Sequence, residues 1–325
     1  MKGRKILATG SESPPLISVI IPAYNVATYI GEALASVFEQ TSACCEVIVI
    51  NDGSPDTEQL EQVLDPYRER IVYLKQENRG AAAARNAGLR AARGEFVAFL
   101  DADDYWLANY LEAQIALLER SRADVVYADA LLFGDPRVAG LTFMGMAPSR
   151  GEVSPESILA VDVGILTSAV VARKKPIFEV DLFDEAIRRG QDFDLWLRLA
   201  KHGVKFAYQY KVLLHHRVLE SGLSGNIVSQ LERTLTLLET IRKRGGLTPG
   251  EEAALSLNMN RTRAGLAMEN GKGRLRERDF AAALAAFNEA KKFGSSWKLV
   301  SVCLALRIAP SLLGLFFRSR PEASS

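Results

Sequence analysis

The sequence predicts an α/β fold: a mostly parallel central sheet with helices on both faces, followed by an α-helical C-terminal extension. Three observations carry that expectation. Short apolar runs alternate with amphipathic stretches four times within about the first hundred residues, the pattern of parallel strands joined by crossover helices. Each apolar run stops in polar or turn residues, and in a parallel sheet those stops fall along one edge. Beyond about residue 226 helical periodicity and basic clusters replace the strand-like runs.

Taken in order, Ile17–Ile21 is the first strand, ending at Pro22-Ala23-Tyr24-Asn25. Ile30, Leu34, Val37 and Phe38 recur at helical spacing, so a helix is expected from about Ala27 to Gln40. Glu46–Ile50 is the second strand; it ends at Asn51-Asp52-Gly53-Ser54, and Asp56 begins a helix carrying Leu60, Val63 and Leu64. Ile71–Leu74 is the third. Asn78-Arg79-Gly80 leads into an alanine-rich helix, Ala81–Ala92, with Gly94 as its stop. Phe96–Leu100, apolar throughout, has the length of a strand buried on both faces, and it ends in Asp101, Asp103 and Asp104.

Three carboxylates at the end of a buried strand repel one another, so water, a cation or hydrogen-bond donors must compensate them. Two readings follow. One is a site for Mg²⁺ or Mn²⁺ and a diphosphate, since a hard cation takes one or two carboxylates plus phosphate oxygens. The other is a solvated acidic turn capping a helix that starts near Tyr105. An Asp-x-Asp alone does not choose between them, because motifs this short recur by chance.

The chain has 325 residues, room for one large domain or a domain with an appendage, and 48% hydrophobic residues, enough for a sizeable core. A net charge of +1 gives no pull toward nucleic acid. Three cysteines, two of them adjacent at Cys44 and Cys45, make neither a disulfide framework nor a zinc motif, and reduced thiols in the cytosol are expected. Residues 1–15 are polar and contain Pro14-Pro15, the composition of a disordered leader rather than a signal peptide. No Gly-x-Gly-x-x-Gly follows a strand and no P-loop is present, which argues against a dinucleotide-binding enzyme and excludes a P-loop NTPase.

Four ordered blocks then stand together: Ser18-Val-Ile-Ile-Pro-Ala-Tyr-Asn25, Glu46-Val-Ile-Val-Ile-Asn-Asp-Gly-Ser54, Asn78-Arg-Gly80 with Ala84-Arg-Asn-Ala-Gly88, and Phe99-Leu-Asp-Ala-Asp-Asp104. In this order the chain resembles the family-2 glycosyltransferases of GT-A fold. The resemblance is strong over residues 16–107, weaker to about 225, and absent beyond. It implies that Pro22, Tyr24 and Asn25 lie along a nucleotide base and ribose, and that Asp52 recognises the base or ribose edge. It implies that Arg79 and Arg85 flank the diphosphate, that Asp101 lies near the ribose or donor sugar, and that Asp103 is a metal ligand. From the residues alone, Tyr24-Asn25 is also a plain strand-to-helix turn and Arg85 a surface helix residue.

Asp124–Tyr127 and Thr167–Ala172 read as further strands, separated by apolar pieces that Gly134, Pro136, Gly140, Gly145 and Pro148 interrupt. The family places an acidic pair at the start of a later helix and uses its Asp as general base. Here the pair is Gln191-Asp192, so Asp192 keeps the base and Gln191 departs from the pattern. Leu195, Trp196 and Leu199 form that helix's buried face, and Asp194 points elsewhere. Leu213-Leu-His-His-Arg217 and Ser221-Gly-Leu-Ser224 resemble a segment in which Arg217 closes over the diphosphate and His216 completes the metal shell; the alternative is a strand end with two solvated histidines.

Helices are expected over Asn226–Arg244, Pro249–Asn270 and Arg276–Lys292, the last resembling half of a tetratricopeptide-type repeat. Trp297–Phe317 is apolar with basic flanks and is interrupted by Arg307 and Pro310, which fits a helix at a membrane surface better than a span, with a packed core helix as the alternative. The domains are therefore 1–15 leader, 16–225 catalytic and 226–325 helical extension. The implied activity is inverting and metal-dependent. It transfers one sugar per encounter from a nucleotide-diphospho-sugar, most simply a UDP-sugar, to a saccharide or lipid-linked acceptor in bacterial cell-surface polysaccharide synthesis. The implied location is the cytoplasm, peripheral on the inner face of the membrane. The Gln-x-x-Arg-Trp signature of processive synthases is missing. The rivals are a nucleotidyltransferase, which would show a Gly-rich Arg/Lys loop after the first strand, and a degenerate, non-catalytic transferase, against which intact Asp52, Asp101, Asp103 and Asp192 stand.

Overall fold

The computed structural model describes residues 17–41, 45–219, 227–294 and 297–308. They form two compact units: one runs to Ile158 and resumes over Asp162–Val218, and the other takes Leu159–Val161 and the chain from Leu219 onward. The leader expected over 1–15, the Ser221–Ser224 segment and residues 309–317 lie outside the described residues.

The elements of the first unit are, in order, β1 (Ile17–Ala23), α1 (Ile30–Phe38), β2 (Cys45–Asp52), α2 (Thr57–Leu64), β3 (Ile71–Gln76), α3 (Ala81–Ala91), β4 (Phe96–Phe99), β5 (Tyr105–Trp106), α4 (Tyr110–Ser121), β6 (Val125–Phe133), α5 (Phe143–Met146), α6 (Pro155–Leu159), β7 (Val170–Arg173), α7 (Lys174–Glu179), α8 (Gln191–Lys201) and β8 (Phe206–Arg217). They build one sheet of order β3-β2-β1-β4-β7-β6-β8-β5. β1 to β4 are mutually parallel where they pair. β7 then runs antiparallel to both β4 and β6, β8 is parallel to β6, and β5 closes the edge antiparallel to β8. Val19, Ile20 and Ile21, with Val47 to Ile50 and Val97 to Phe99, are buried, as strands covered on both faces must be.

Two glycines set how closely the parts approach. A Cβ on Gly88 would lie 2.6 Å from Ile20 Cγ2 and 2.9 Å from Ile50 Cδ1, so α3 sits against β1 and β2 at a distance only glycine permits. Gly53 has φ +64°, and a Cβ there would lie 2.6 Å from the backbone nitrogen of Asn78. The loop after β2 is thereby pressed onto the loop that starts α3.

Several boundaries differ from expectation. No helix starts near Tyr105. Tyr105 and Trp106 pair with His215 and Leu214, and α4 begins at Tyr110. Gly94 does not stop α3: Ala92 already turns extended, and Gly94 N–H donates to Ser18 Oγ at 2.9 Å. Thr167–Ala169 is a 3₁₀ turn, with the strand starting at Val170. The strand read as Asp124–Tyr127 extends to Phe133, because pairing with β8 continues to Arg217.

The second unit carries α9 (Ile227–Arg244), α10 (Pro249–Arg276), α11 (Phe280–Phe293) and α12 (Trp297–Ile308). Thr248 and Glu251 cap the start of α10 reciprocally, with Pro249 in the first turn. α10 passes Asn270 and continues to Arg276. The glycines beyond Asn270 resemble a stop, but Gly271 instead gives room to Phe287, whose ring a Cβ would meet at 2.5 Å. α11 starts later than read, at Phe280, where Asp279 accepts a hydrogen bond from Ala282 N–H at 3.0 Å. Ala267, Leu275, Ala283, Phe287, Ala290, Leu299, Cys303 and Leu306 form one apolar cluster across α10, α11 and α12.

Candidate active site

The carboxyl ends of β1, β2 and β4 and the amino end of β7 share one sheet edge. The loop after β1 is organised by the loop after β2. Asn25 N–H donates to Ser54 Oγ at 2.6 Å, Ala27 N–H donates to Asp56 Oδ2 at 2.8 Å, and Ser54 Oγ bonds Asp56 Oδ1. Pro22 lies half-buried at the end of β1, Asn25 takes φ +55°, and Tyr24 is 50% exposed. An exposed ring on a fixed turn is available for stacking.

Asp52 is 3% exposed. Its Oδ1 accepts from Gln76 Nε2 at 2.7 Å and from Arg79 N–H at 2.9 Å, and its Oδ2 accepts from Gly80 N–H at 2.8 Å. Asp52 therefore shapes the turn that starts α3. The Arg79 side chain is exposed and pairs with Glu185 at 2.6 Å.

Arg85 is not a surface residue: it is 5% exposed. Its Nη2 donates to Asp101 Oδ1 at 2.5 Å, while Nε and Nη1 are buried with no hydrogen-bond partner. Its guanidinium lies 5.7 Å from the Phe183 ring centroid. Asn86 beside it clamps Phe183 in both directions, donating to the carbonyl at 2.8 Å and accepting from the N–H at 3.0 Å.

The three acids after β4 have separate surroundings. Asp101 takes Arg85, and its backbone N–H donates to Ser168 Oγ at 3.1 Å. Asp104 is fully buried and accepts from Arg217 N–H at 2.9 Å, while His216 Nδ1 lies 2.9–3.0 Å from both its oxygens. Burial works against a charged His216, but the Asp104 carboxylate outweighs it by charge and hydrogen bond, so His216 is held above the usual histidine range. Asp103 is pushed up to about 7, by burial first and then by the charges of Asp104 and Asp101. Arg217 donates from Nε to the Asp103 carbonyl at 3.1 Å, pairs with Glu32, and covers the rings of Tyr29 and Phe133. Neither histidine is simply solvated: His215 stacks on Tyr105 at 4.6 Å.

Asp192 stands in the first turn of α8, half-buried. Its Oδ2 accepts from Thr167 Oγ1 at 3.0 Å and its Oδ1 from Phe193 N–H at 2.9 Å. Asp194 is fully buried and pairs with Arg198 at 2.8 Å, which also donates to the carbonyls of Val180 and Leu182. Thr167 and Ser168 thus touch the two ends of the site, one holding Asp192 and the other the Asp101 backbone. Sequence reasoning missed both, since nothing in a Thr-Ser pair before a strand marks it. It also missed Glu185, which receives Arg79 and Asn86.

Residues 18–139 match the family model for glycosyl transferase family 2. Over 229 residues the chain is 31% identical to the UDP-Glc:alpha-D-GlcNAc-diphosphoundecaprenol beta-1,3-glucosyltransferase WfgD of Escherichia coli, covering 69% of this chain and 85% of that protein. The chain belongs to glycosyl transferase family 2. It is also 30% identical over 200 residues to an uncharacterized glycosyltransferase of Rickettsia felis, covering 58% of this chain and spanning 32% of that relative's length. The fold is shared with the mannosyltransferase PcManGT of Pyrobaculum calidifontis, solved with GDP-Man and Mn²⁺, at a TM-score of 0.62 and 19% identity over 94% of this chain and 84% of that one. The family-2 domain and the α/β sheet expected from the sequence are therefore present. The nucleotidyltransferase alternative falls with them.

Proposed function

We propose that this family-2 transferase moves a sugar from a nucleotide-diphospho-sugar, a UDP-sugar, to a hydroxyl of a saccharide or lipid-linked saccharide, inverting the anomeric centre and releasing its product after one transfer. The setting is cytoplasmic, at the inner face of a bacterial membrane, in cell-surface polysaccharide synthesis. The observation that carries this reading is the buried Arg85, two of whose guanidinium nitrogens have no partner beside an acidic strand end. Orphaned buried donors are costly unless a ligand takes them, and a diphosphate is a fitting acceptor.

A divalent cation fits the residues. Asp103 is a hard oxygen ligand crowded by two like charges. His216 keeps Nδ1 against Asp104, the carboxylate–histidine arrangement that leaves the other ring nitrogen for a metal. Among the described residues no three His, Cys, Asp or Glu side chains could hold an ion unaided, which suits Mg²⁺ or Mn²⁺ shared with substrate phosphates. Bound there, the ion would supply positive charge against the leaving diphosphate.

The chain's own residues do the rest. Tyr24, Asn25 and Pro22 line the base and ribose, on a turn that Ser54 and Asp56 hold, and Asp52 shapes the turn that starts α3. Arg79, Arg85 and Arg217 supply donors to the anionic groups, and Asp101 orients Arg85. Asp192 takes the proton of the acceptor hydroxyl as that oxygen attacks the anomeric carbon. Thr167 aims the Asp192 carboxylate.

The test pairs a binding and a transfer readout. Purified protein is screened against a panel of nucleotide-sugars by thermal shift and slow hydrolysis. Asp192→Asn is expected to abolish transfer while donor affinity changes little. Parallel loss of donor binding would make Asp192 a donor-site or structural residue and overturn its role as base.

A further inference from the structure

α12 has two apolar faces. Leu299, Cys303 and Leu306 point into the cluster with α10 and α11. On the other side Trp297, Val300, Leu304 and Ile308 are 75%, 44%, 55% and 74% exposed. Their spacing of three, seven and eleven residues from Trp297 puts them on one stripe of a helix turning about 100° per residue. A large aromatic and three aliphatics left in water along one line are a surface with an occupant.

The charge around the stripe says which occupant. From Ala290 to Pro321 the sequence carries Lys291, Lys292, Lys298, Arg307, Arg318 and Arg320 and no Asp or Glu. Lys292 pairs back with Glu289, just before that run. Beyond α12 the sequence adds Leu312, Leu313, Leu315, Phe316 and Phe317. A second protein copy would bring the same basic charge to the contact. An apolar stripe inside an all-basic run matches a surface that is apolar below and negative above. Among the described residues no helix is long and apolar enough to cross a membrane.

We propose that the exposed face of α12 is a docking surface for an anionic lipid bilayer, entering the headgroup and acyl boundary through Trp297, Val300, Leu304 and Ile308. The proposal deepens the membrane setting given above and stands apart from the transfer reaction. The sequence left this helix as either a surface helix or a core helix; its two faces do one task each.

Trp106 and Trp196 are buried, so Trp297 reports on the surface. Full-length protein is mixed with vesicles of phosphatidylcholine alone or with phosphatidylglycerol. With the anionic vesicles, Trp297 emission should shift to the blue and be quenched by acyl-chain-brominated lipid, and added salt should weaken binding. Leu304→Glu with Ile308→Glu should weaken vesicle binding at least about tenfold and leave circular dichroism and thermal midpoint unchanged, because both side chains face solvent. The proposal is overturned if the wild type ignores anionic vesicles, if neutral vesicles bind equally well, or if the double variant binds like the wild type. It is also overturned if that variant abolishes self-association of the free protein, which would make a second copy the occupant. Nucleotide-sugar turnover is read in the same samples: turnover without vesicle binding sinks only this proposal, and vesicle binding without turnover sinks only the transferase reading.

Discussion

Replacing Arg85 by Met separates the proposed donor-binding role of this side chain from a structural one. In the free protein Arg85 makes one ion pair, to Asp101, and keeps two buried nitrogens without partners. Each orphaned donor costs about 1–3 kcal/mol. Removing the guanidinium relieves both costs and breaks the pair, but the Asp101 side chain is 31% exposed and can turn to water. The opposing terms leave folding stability within about 2 kcal/mol of wild type. Donor binding loses two charge-assisted hydrogen bonds at about 1.5–3 kcal/mol each, and even the lower pair of values amounts to a loss of about 100-fold in affinity. Arg85→Lys keeps the charge without the planar fork and should fall between. The assays are denaturant melts without ligand and calorimetric titration with UDP and UDP-sugars. A melt lowered by more than about 4 kcal/mol with nucleotide affinity unchanged would refute the reasoning and make Arg85 a core strut.

Three further substitutions probe other parts. Asp103→Asn keeps the shape and removes the charge of the proposed cation ligand, so turnover should fall about 100- to 1000-fold with the fold intact; near-normal activity, or full wild-type activity in chelator, would count against a metal. Thr167→Val removes the hydroxyl 3.0 Å from Asp192; kcat should drop about tenfold with donor KM unmoved, Thr167→Ser should restore it, and an unchanged kcat would deny Thr167 its aiming role. Glu46 is buried and accepts from Ser18 Oγ, Arg93 N–H and Arg93 Nε at 2.7, 2.6 and 2.8 Å. Burial works to raise its pKa, but those donors win and hold it below the usual glutamate value. Its stabilisation is therefore present above the unfolded-state pKa and lost as pH falls through the lower folded value. Glu46→Gln should cost about 1–3 kcal/mol at neutral pH and flatten the acid limb of the stability curve, as melts across pH would read.

The strands were legible because β-branched runs bounded by polar stops signal burial on both faces, as at Ile17–Ile21 and Glu46–Ile50. Helices with a regular apolar stripe, such as the one carrying Leu195, Trp196 and Leu199, were legible for the same reason. The direction of β1 to β4 was legible too, but that of β7 was not. Nothing in Val170–Arg173 says that it enters the sheet reversed, and that reversal brings Thr167 and Ser168 to the edge where Asp101 lies. Tyr105 and Trp106 read as a helix start because a two-residue strand has no period; the partner of Tyr105, His215, is 110 residues away. Of the site, the ordered blocks pointed to Arg85, Asp101 and Asp103, and the family's acidic pair to Asp192, yet not to what each touches. The alternative of a surface Arg85 arose because polarity outweighs position in a helix otherwise rich in alanine. Its burial follows from Gly88, three residues on, which draws α3 onto Ile20 and Ile50.

The division of labour among the acids follows from their partners. Asp104, fully buried, accepts from Arg217 N–H and faces His216 Nδ1, and the same contacts fix the end of β8 against β5. Asp101 is neutralised by Arg85. Asp103 lies beside both, its own backbone N–H lowers its pKa, and burial and repulsion push it up to about 7. Of the three it has the most to gain from a cation. Across the edge, Asp192 is tied to the same framework twice. Thr167 holds its oxygen while Ser168 holds Asp101, and Asn86 grips Phe183 while Arg198 of α8 grips Val180 and Leu182 just before it. The proposed base, placed through packed strands and helices, keeps its geometry better than one on a free loop would. In the one-step displacement proposed above that would matter, because attacking oxygen and leaving group must stay in line. The Thr167–Ser168 turn, rather than the Asp-x-Asp motif, is therefore the element that joins the two halves of the site.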